Sequence, residues 1–379
     1  MENNKPSISF FGGVGKVTGA NFLFEFRSFK ALIDCGLVQG GEKDFLENNK
    51  PFSYNPEDIS FLFLTHAHID HIGKVPKLVK DGFKGTIFST PITKEIARLL
   101  LADSVKVSHF QMKKNGLEPL FSAKDVEDAL ALWETIPYHS PKQLSENISV
   151  ELKDAGHILG SSMFLFNIKE QERELKVLFT GDLGNSPSAL LPNTEIIDDA
   201  DYVVMDSVYG DRNHEPPETR KIKFKKVLEE TIKGKKTLLI PSFSLERTQI
   251  ILYELNELIE NGDIKSIPVF LDSPLAIKLT KIYEGVKSLY NKEVQRDISS
   301  GDNIFDFPKL QKTLKVSDSK EIKLVAGPKV IIAGSGMSTG GRILNHEKEY
   351  LPKKDTILLL VGYQAPGTLG REILDGSKK

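Results

Sequence analysis

Seven residues, Thr65-His66-Ala67-His68-Ile69-Asp70-His71, carry the densest chemistry in this chain. Three imidazoles and one carboxylate follow directly on the apolar run Ile59-Ser60-Phe61-Leu62-Phe63-Leu64. Imidazole and carboxylate together suit a borderline divalent metal such as zinc. His66 and His68 are two apart, so in extended chain their side chains point the same way. Asp70 and His71 come from the turn that follows and can face a second metal. Packing gives a fold no reason to gather so many polar groups at a strand end. His157, in Asp154-Ala155-Gly156-His157-Ile158-Leu159-Gly160-Ser161, and Asp182, in Phe179-Thr180-Gly181-Asp182-Leu183-Gly184, complete the pattern. Asp34 ends the strand-like run from Lys30 and is expected to brace the His loop through hydrogen bonds.

These groups need strands to hold them. Ile8–Gly13, Asn21–Phe26, Lys30–Gly36, Thr86–Thr90 and Ile148–Leu152 read as strands. Ser162–Ile168 and Leu175–Thr180 pair as a hairpin, and Tyr202–Asp206 is a further strand. Helical patterns cover Pro91–Leu101 and residues 124–135. After a polar, Pro-containing loop at 211–220 the character shifts. Helical stretches at Lys221–Lys233, Glu246–Asn261, Leu275–Tyr290 and Arg342–Tyr350 alternate with strands at Thr237–Ile240, Pro268–Leu271, Lys329–Ala333 and Thr356–Val361. Such alternation argues for a mostly parallel sheet flanked by helices.

The chain has 379 residues and a formal net charge of −2, so global charge marks no nucleic-acid binder and an anionic substrate must be held locally. A single cysteine, Cys35, excludes a disulfide framework and favours the cytoplasm. No apolar run approaches the ~18 residues of a membrane span, and the first residues lack a signal-peptide pattern. Basic residues cluster at Arg220, Lys221, Lys223, Lys225, Lys226, Lys233, Lys235 and Lys236. They read either as a track for a nucleic-acid backbone or as one solvated helix face.

The set Asp34, His66, His68, Asp70, His71, His157 and Asp182 resembles the metallo-β-lactamase superfamily, an α/β fold built as a four-layer αββα sandwich. The resemblance implies a first metal on His66, His68 and His157, and a second on Asp70 and His71, with Asp182 bridging. Four further stretches resemble the β-CASP RNA-processing nucleases of that superfamily: Met205–Gly210, Ile240–Gln249, Ser335–Arg342 and Val361–Arg371. An inserted α/β β-CASP domain with a mostly parallel sheet is therefore expected, with boundaries at 1–207 and 208–379. The implied activity is hydrolysis of RNA phosphodiester bonds by a hydroxide activated by two zinc ions, with Mn²⁺ as an alternative metal. Asp70 and Asp182 would hold the metals and Asp206 would orient or relay a proton. Single-stranded RNA is the expected partner and homodimerisation is common among similar proteins.

Residue chemistry adds to this. The Ser335-Gly336-Met337-Ser338 loop, small and Gly-rich between strand and helix, offers backbone N–H groups as an anion nest; the plainer reading is a tight turn. Arg247, in the first turn of a helix, is placed to grip a phosphate or to form a surface salt bridge. His109, His139 and His214 read as structural or surface residues; His346, one helical turn past Arg342, reads either as another such residue or as one that faces substrate. The pattern departs from the family twice. Glu372 stands where the resemblance expects a histidine that protonates the leaving group, and glutamate does so only if burial raises its pKa. A Ser-x-His-x-Asp segment that would return to the sandwich and complete the second metal is not found. The expectation is ordinary affinity at the first metal and weakened occupancy at the second. A DNA-processing nuclease of the same superfamily, or a catalytically impaired nucleic-acid-binding member, are the rival readings.

Overall fold

A computed structural model describes residues 5–40, 46–114, 116, 118–170 and 173–377, the side chains of 108–114 excepted. His109 falls among those side chains and lies outside the description. The chain divides into two compact units, Met1–Asp211 and Arg212–Lys379.

The first unit opens with a six-stranded sheet in chain order: β1 (Ser7–Gly12), β2 (Asn21–Phe26), β3 (Phe29–Ile33), β4 (Phe61–Phe63), β5 (Thr86–Ser89) and β6 (Trp133–Thr135). The first three strands are antiparallel and the rest run parallel. Parallel neighbours need long crossovers, and these carry α1 (Ile69–Ile72), α2 (Val75–Lys80), α3 (Pro91–Lys114) and α4 (Ala123–Ala131). The second sheet holds β7 (Lys142–Ser145), β8 (Ile148–Asp154), β9 (Ser162–Glu170), β10 (Arg173–Phe179) and β11 (Tyr202–Val204), in the order β11-β10-β9-β8-β7. The expected hairpin is β9–β10, with Phe164 opposite Phe179 and Ile168 opposite Leu175.

Phenylalanines seal the two sheets face to face. Phe24, Phe63 and Phe88 from the first sheet and Phe164, Phe166 and Phe179 from the second are all buried in one cluster. Their rings meet across the interface, Phe63 to Phe166 at 5.0 Å and Phe24 to Phe179 at 5.7 Å between centroids. Aromatic contacts of this kind add to the area they bury. The outer face of the second sheet packs Met163 and Leu178 against Leu183, Ile197 and Ala200 of the following segment.

The second unit is built on a five-stranded, wholly parallel sheet: β12 (Thr237–Pro241), β13 (Val269–Leu271), β14 (Leu310–Lys312), β15 (Lys329–Ala333) and β16 (Thr356–Leu358), in the order β14-β13-β15-β12-β16. Every residue of β12, β13 and β15 is buried, as continuous apolar strands between helices require. The helices are α5 (Pro217–Lys233), α6 (Arg247–Glu260), α7 (Pro274–Gly285), α8 (Lys292–Ser299), α9 (Val316–Glu321), α10 (Ile343–Tyr350) and α11 (Leu369–Leu374). No described helix is long and apolar enough to cross a membrane.

Several elements differ from expectation. α3 continues past Leu101 to Lys114, because no Gly or Pro interrupts it before Gly116. The helix expected over 124–135 stops at Ala131, and Trp133–Thr135 becomes β6. Pairing with β5 and a 2.9 Å bond from Trp133 Nε1 to Ser89 Oγ outweigh the local helical pattern. The helix expected to Tyr290 ends at Gly285, and α5 begins inside the expected loop, with proline in its first turn. β7, β14, α8 and α9 are short and mostly polar, α11 is a single short helix after a Gly-containing turn, and the sequence pattern did not announce them.

Candidate metal centre

Four chain segments leave the sandwich at one end and bring their polar residues together. β4 runs into Thr65–His68, and α1 starts at once, with His68 as its N-cap residue. Asp34 follows β3, His157 follows β8, and Asp182 follows β10. Gly181 makes the last approach feasible: its φ is +56°, and a Cβ there would lie 2.6 Å from Thr65 Cβ. Only glycine tolerates both demands.

His66, His68, His157 and Asp182 each offer one ligand atom, and these atoms all lie within 4.8 Å of one another. His66 Nε2 is 3.0 Å from His68 Nδ1, which is 3.2 Å from His157 Nε2. Asp182 Oδ2 stands 3.9 Å from His66 Nε2 and 3.7 Å from His157 Nε2. Zinc–nitrogen bonds of about 2.05 Å in a tetrahedron place ligand atoms ~3.3 Å apart, so this donor set fits one zinc ion. The other Asp182 oxygen, Oδ1, is 3.3 Å from His71 Nε2, and Asp70 Oδ2 lies 4.0 Å from the same nitrogen. Asp182 thus presents one oxygen to each half of the site, and the second half fits a metal with three donors from this chain. Cys35 is buried, and burial pushes its thiol up to about 12, so it offers no thiolate.

Electrostatics prepare the halves differently. Burial holds His66 well below the ordinary imidazole value, leaving it neutral and ready to ligate. Burial also opposes charge on His71, but the carboxylates of Asp182 and Asp34 outweigh it and hold that imidazole well above its usual value. Burial likewise opposes charge on Asp182, and His71, His66 and His157 more than offset it, keeping the carboxyl well below the usual range. Asp70 is pushed up to about 6, chiefly by burial. Metal binding in the His71 half therefore displaces protons.

Asp34 braces the loop as expected. It is fully buried; its Oδ1 accepts the Thr65 N–H at 2.8 Å. Its Oδ2 accepts the Thr65 hydroxyl at 2.8 Å and His71 Nδ1 at 2.7 Å. The Thr65 oxygen is 3.0 Å from His66 Nδ1. An ionised carboxylate only accepts, so one aspartate orients both imidazoles with Nε2 toward the metal. Thr65 is a functional residue that sequence reasoning missed, although it directly precedes the first ligand. A second brace was also missed. Glu195 Oε1 accepts the Asp154 N–H at 2.9 Å and His139 Nε2 at 2.7 Å, and Thr194 Oγ1 donates to Ala155 O at 2.9 Å. It ties the segment after Asp182 to the strand that delivers His157. Asp206 lines a cleft of about 280 Å³ with Asp34, His71 and Asp182. Its oxygens accept the Leu183 N–H at 3.0 Å and the Val208 N–H at 3.2 Å.

In the second unit the β-CASP-like stretches meet at the carboxyl ends of the parallel strands. Gln364 donates to Gly336 O at 2.9 Å, and the Gly370 N–H to Met337 O at 3.1 Å. The Ser335 loop itself is largely self-satisfied. Ser335 Oγ accepts the Thr339 N–H at 3.1 Å, the Ser338 N–H donates to Ser335 O at 3.2 Å, and the Ser338 hydroxyl is buried against Glu347 at 2.5 Å. The Ser338 hydroxyl is thus spent inside the fold, and the tight-turn reading accounts for these bonds. Arg247 is half-buried at the start of α6, and its charge is felt by Glu254. His346 does not face outward: it is buried and donates from Nε2 to Asp272 Oδ2 at 2.7 Å. His214 is exposed. Glu372 is exposed on α11. Much of the basic stretch is neutralised locally, by Lys221–Glu257, Lys223–Glu215, Lys225–Asp263 and Lys236–Glu230 ion pairs, which supports the solvated-face reading.

With this geometry in hand, comparison identifies the class. A metallo-beta-lactamase superfamily domain matches residues 23–208 and a Beta-Casp domain matches residues 248–373. The chain belongs to the metallo-β-lactamase superfamily, in its β-CASP branch. It is 35% identical over 364 residues to Ribonuclease TTHA0252 of Thermus thermophilus, a match covering 96% of this chain and 80% of that protein. It is 31% identical to the transcription termination factor FttA of Methanosarcina mazei over 98% of this chain, which spans 58% of that protein's length. Among solved structures, a protein of unknown function from Enterococcus faecalis V583 shares the fold, with a TM-score of 0.50 and 14% identity, covering 98% of this chain and 90% of that one.

Proposed function

We propose that this chain hydrolyses phosphodiester bonds of single-stranded RNA, with two zinc ions held by His66, His68, His157 and Asp182 on one side and by Asp70, His71 and Asp182 on the other. The observation that carries the reading is the pair of donor sets sharing Asp182, at spacings that fit tetrahedral zinc. Zinc bound there supplies Lewis acidity, an acidified water and neutralisation of phosphate charge. Manganese fits the same nitrogen and oxygen donors. The chain's own residues do the rest. Asp34 and Thr65 keep the Nε2 atoms of His66 and His71 free to ligate. Asp206, held by two backbone N–H groups beside Asp182, orients the attacking water or takes its proton. In the second unit, Arg247 at the start of α6 is the cation we assign to an RNA phosphate. RNA rather than DNA is supported by the ribonuclease and transcription-termination names of the two relatives.

The test is cleavage of an end-labelled single-stranded RNA by the metal-loaded chain, with EDTA and a His68→Ala variant as controls. Metal-dependent cleavage lost by at least about 10³-fold in the variant is expected. Cleavage that survives both EDTA and the substitution would refute the reading. The product ladder separates internal from 5′-end attack.

A further inference from the structure

We propose that Lys16, in the loop joining β1 to β2, is a substrate-phosphate contact beside the metal ligands. This rests on the nuclease reading above and names a group by which the first unit grips the RNA backbone.

The loop, Gly12-Gly13-Val14-Gly15-Lys16-Val17-Thr18-Gly19, is closed at its base and open at its tip. A Cβ on Gly12 would lie 1.9 Å from Gly19 O, so the two ends touch through bare backbone. Thr18 Oγ1 accepts the Gln39 N–H at 2.9 Å and donates to Gln39 O at 3.2 Å. Just beyond the loop, the Ala20 N–H donates to Asp70 O at 3.0 Å and Asn21 Nδ2 donates to Asp34 O at 2.8 Å. The base is therefore bonded to the two segments that carry and brace the second set of metal ligands. At the tip, Val14 through Val17 are exposed.

Lys16 lines the same cleft as Asp34, His71, Asp182 and Asp206. Among the described residues that line it, Lys16 carries the one ammonium, against three aspartates. A polyanion meets net repulsion at such a cleft unless cations offset it. Metals offset the carboxylates that hold them, and Lys16 offsets the remainder at the rim. Lysine is a point charge on a flexible stem, which suits a non-bridging oxygen of a phosphodiester flanking the reacting one. The exposed Glu47 carboxyl, held below its usual value first by Lys50, also feels Lys16. An exposed attraction of this kind is weak and yields to a phosphate.

The test measures kcat, KM and zinc per chain for the full chain and its Lys16→Ala and Lys16→Arg variants, on end-labelled single-stranded RNA over a range of salt. In Lys16→Ala, KM rises about five- to tenfold while kcat changes less than about twofold, the signature of lost uniform binding. The slope of log(kcat/KM) against log salt becomes shallower by about one, as one phosphate contact is removed. Lys16→Arg recovers most of the loss, and zinc content stays at the unsubstituted value in both. An unchanged KM and salt slope in Lys16→Ala overturns the inference, and so does a loss that tracks zinc content or that arginine does not recover. An unsubstituted chain that cleaves no RNA removes the nuclease reading itself. An active chain indifferent to Lys16→Ala removes only this inference.

Discussion

Replacing Asp34 with asparagine tests the central claim about the metal site without touching a ligand. The shape is kept; the charge and one acceptor are lost. The asparagine carbonyl still accepts the Thr65 N–H, which lies 2.8 Å from Oδ1. Its NH₂ group then faces the Thr65 hydroxyl and His71 Nδ1, 2.8 and 2.7 Å from Oδ2, and it can only donate. His71 Nδ1 must therefore become an acceptor, and its proton moves to Nε2, the atom 3.3 Å from Asp182 Oδ1. The Thr65 hydroxyl turns to accept from the amide and donates to His66 Nδ1, which moves that proton to Nε2 as well. Both nitrogens that must face metal are then blocked in the favoured tautomer. Loss of such a supporting partner lowers metal affinity about 10- to 100-fold, or ~1.4–2.8 kcal/mol per site. The assay is zinc competition against a chromophoric chelator, beside a melt of the metal-free protein. The expected result is weaker zinc binding in both halves, with the metal-free melting temperature within about 5 °C of the unsubstituted chain. A folded Asp34→Asn protein that binds two zinc ions with unchanged affinity would refute the tautomer argument.

Two further outcomes concern stability. Burial pushes the Asp154 carboxyl up to about 6, so the folded protein keeps a proton there that the unfolded chain releases near pH 4. The folded state binds more protons in that window, and stability falls as pH rises from about 4 to about 6. Asp154→Asn cannot ionise, so its stability relative to the unsubstituted chain should climb across that range, by roughly 1–2 kcal/mol after allowance for partial exposure. Urea unfolding followed by the single tryptophan, Trp133, reads the first unit alone, and a difference that is flat with pH would contradict the assignment. In the second unit, the fully buried Asp272 accepts Arg342 Nη1 at 2.6 Å, His346 Nε2 at 2.7 Å, and the hydroxyls of Thr313 and Ser319, each at 2.6 Å. Burial opposes its charge, but these bonds hold its carboxyl well below the usual range, so the stability it contributes is complete above about pH 4 and is lost as pH falls below that. Asp272→Ala leaves the half-buried Arg342 guanidinium and the buried His346 imidazole without their carboxylate and should cost the second unit about 3 kcal/mol, read by calorimetry; a loss under about 1 kcal/mol would show that the network is replaceable.

Much of the site was legible before any coordinates, for a chemical reason. Metal ligands must be particular residue types at strand ends, and a run such as His66-Ala67-His68-Ile69-Asp70-His71 leaves packing no alternative use for them. The same holds for the buried strands β12 and β15, whose unbroken apolar runs have one physical explanation, and for Asp34, whose place at a strand end marked it as a brace. Residues whose role depends on a distant partner were not legible. His346 reads as a helical histidine open to substrate or solvent until Asp272, 74 residues away, accepts its hydrogen bond. Trp133 reads as helix until β5 offers an edge to pair with.

The sequence by itself determined which groups could bind metal and that the second half alternates strands with helices, because these follow from residue chemistry and local periodicity; the superfamily and its branch came from the resemblance its motifs carry. Only the tertiary structure decided which ring nitrogen of each histidine faces the metal, that Asp182 turns one oxygen to each half of the site, and that Lys16 stands at the rim of the same cleft. Those facts depend on segments far apart in the chain being packed within a few ångströms. Chain order does not record that proximity; the sealed phenylalanine core between the two sheets creates it.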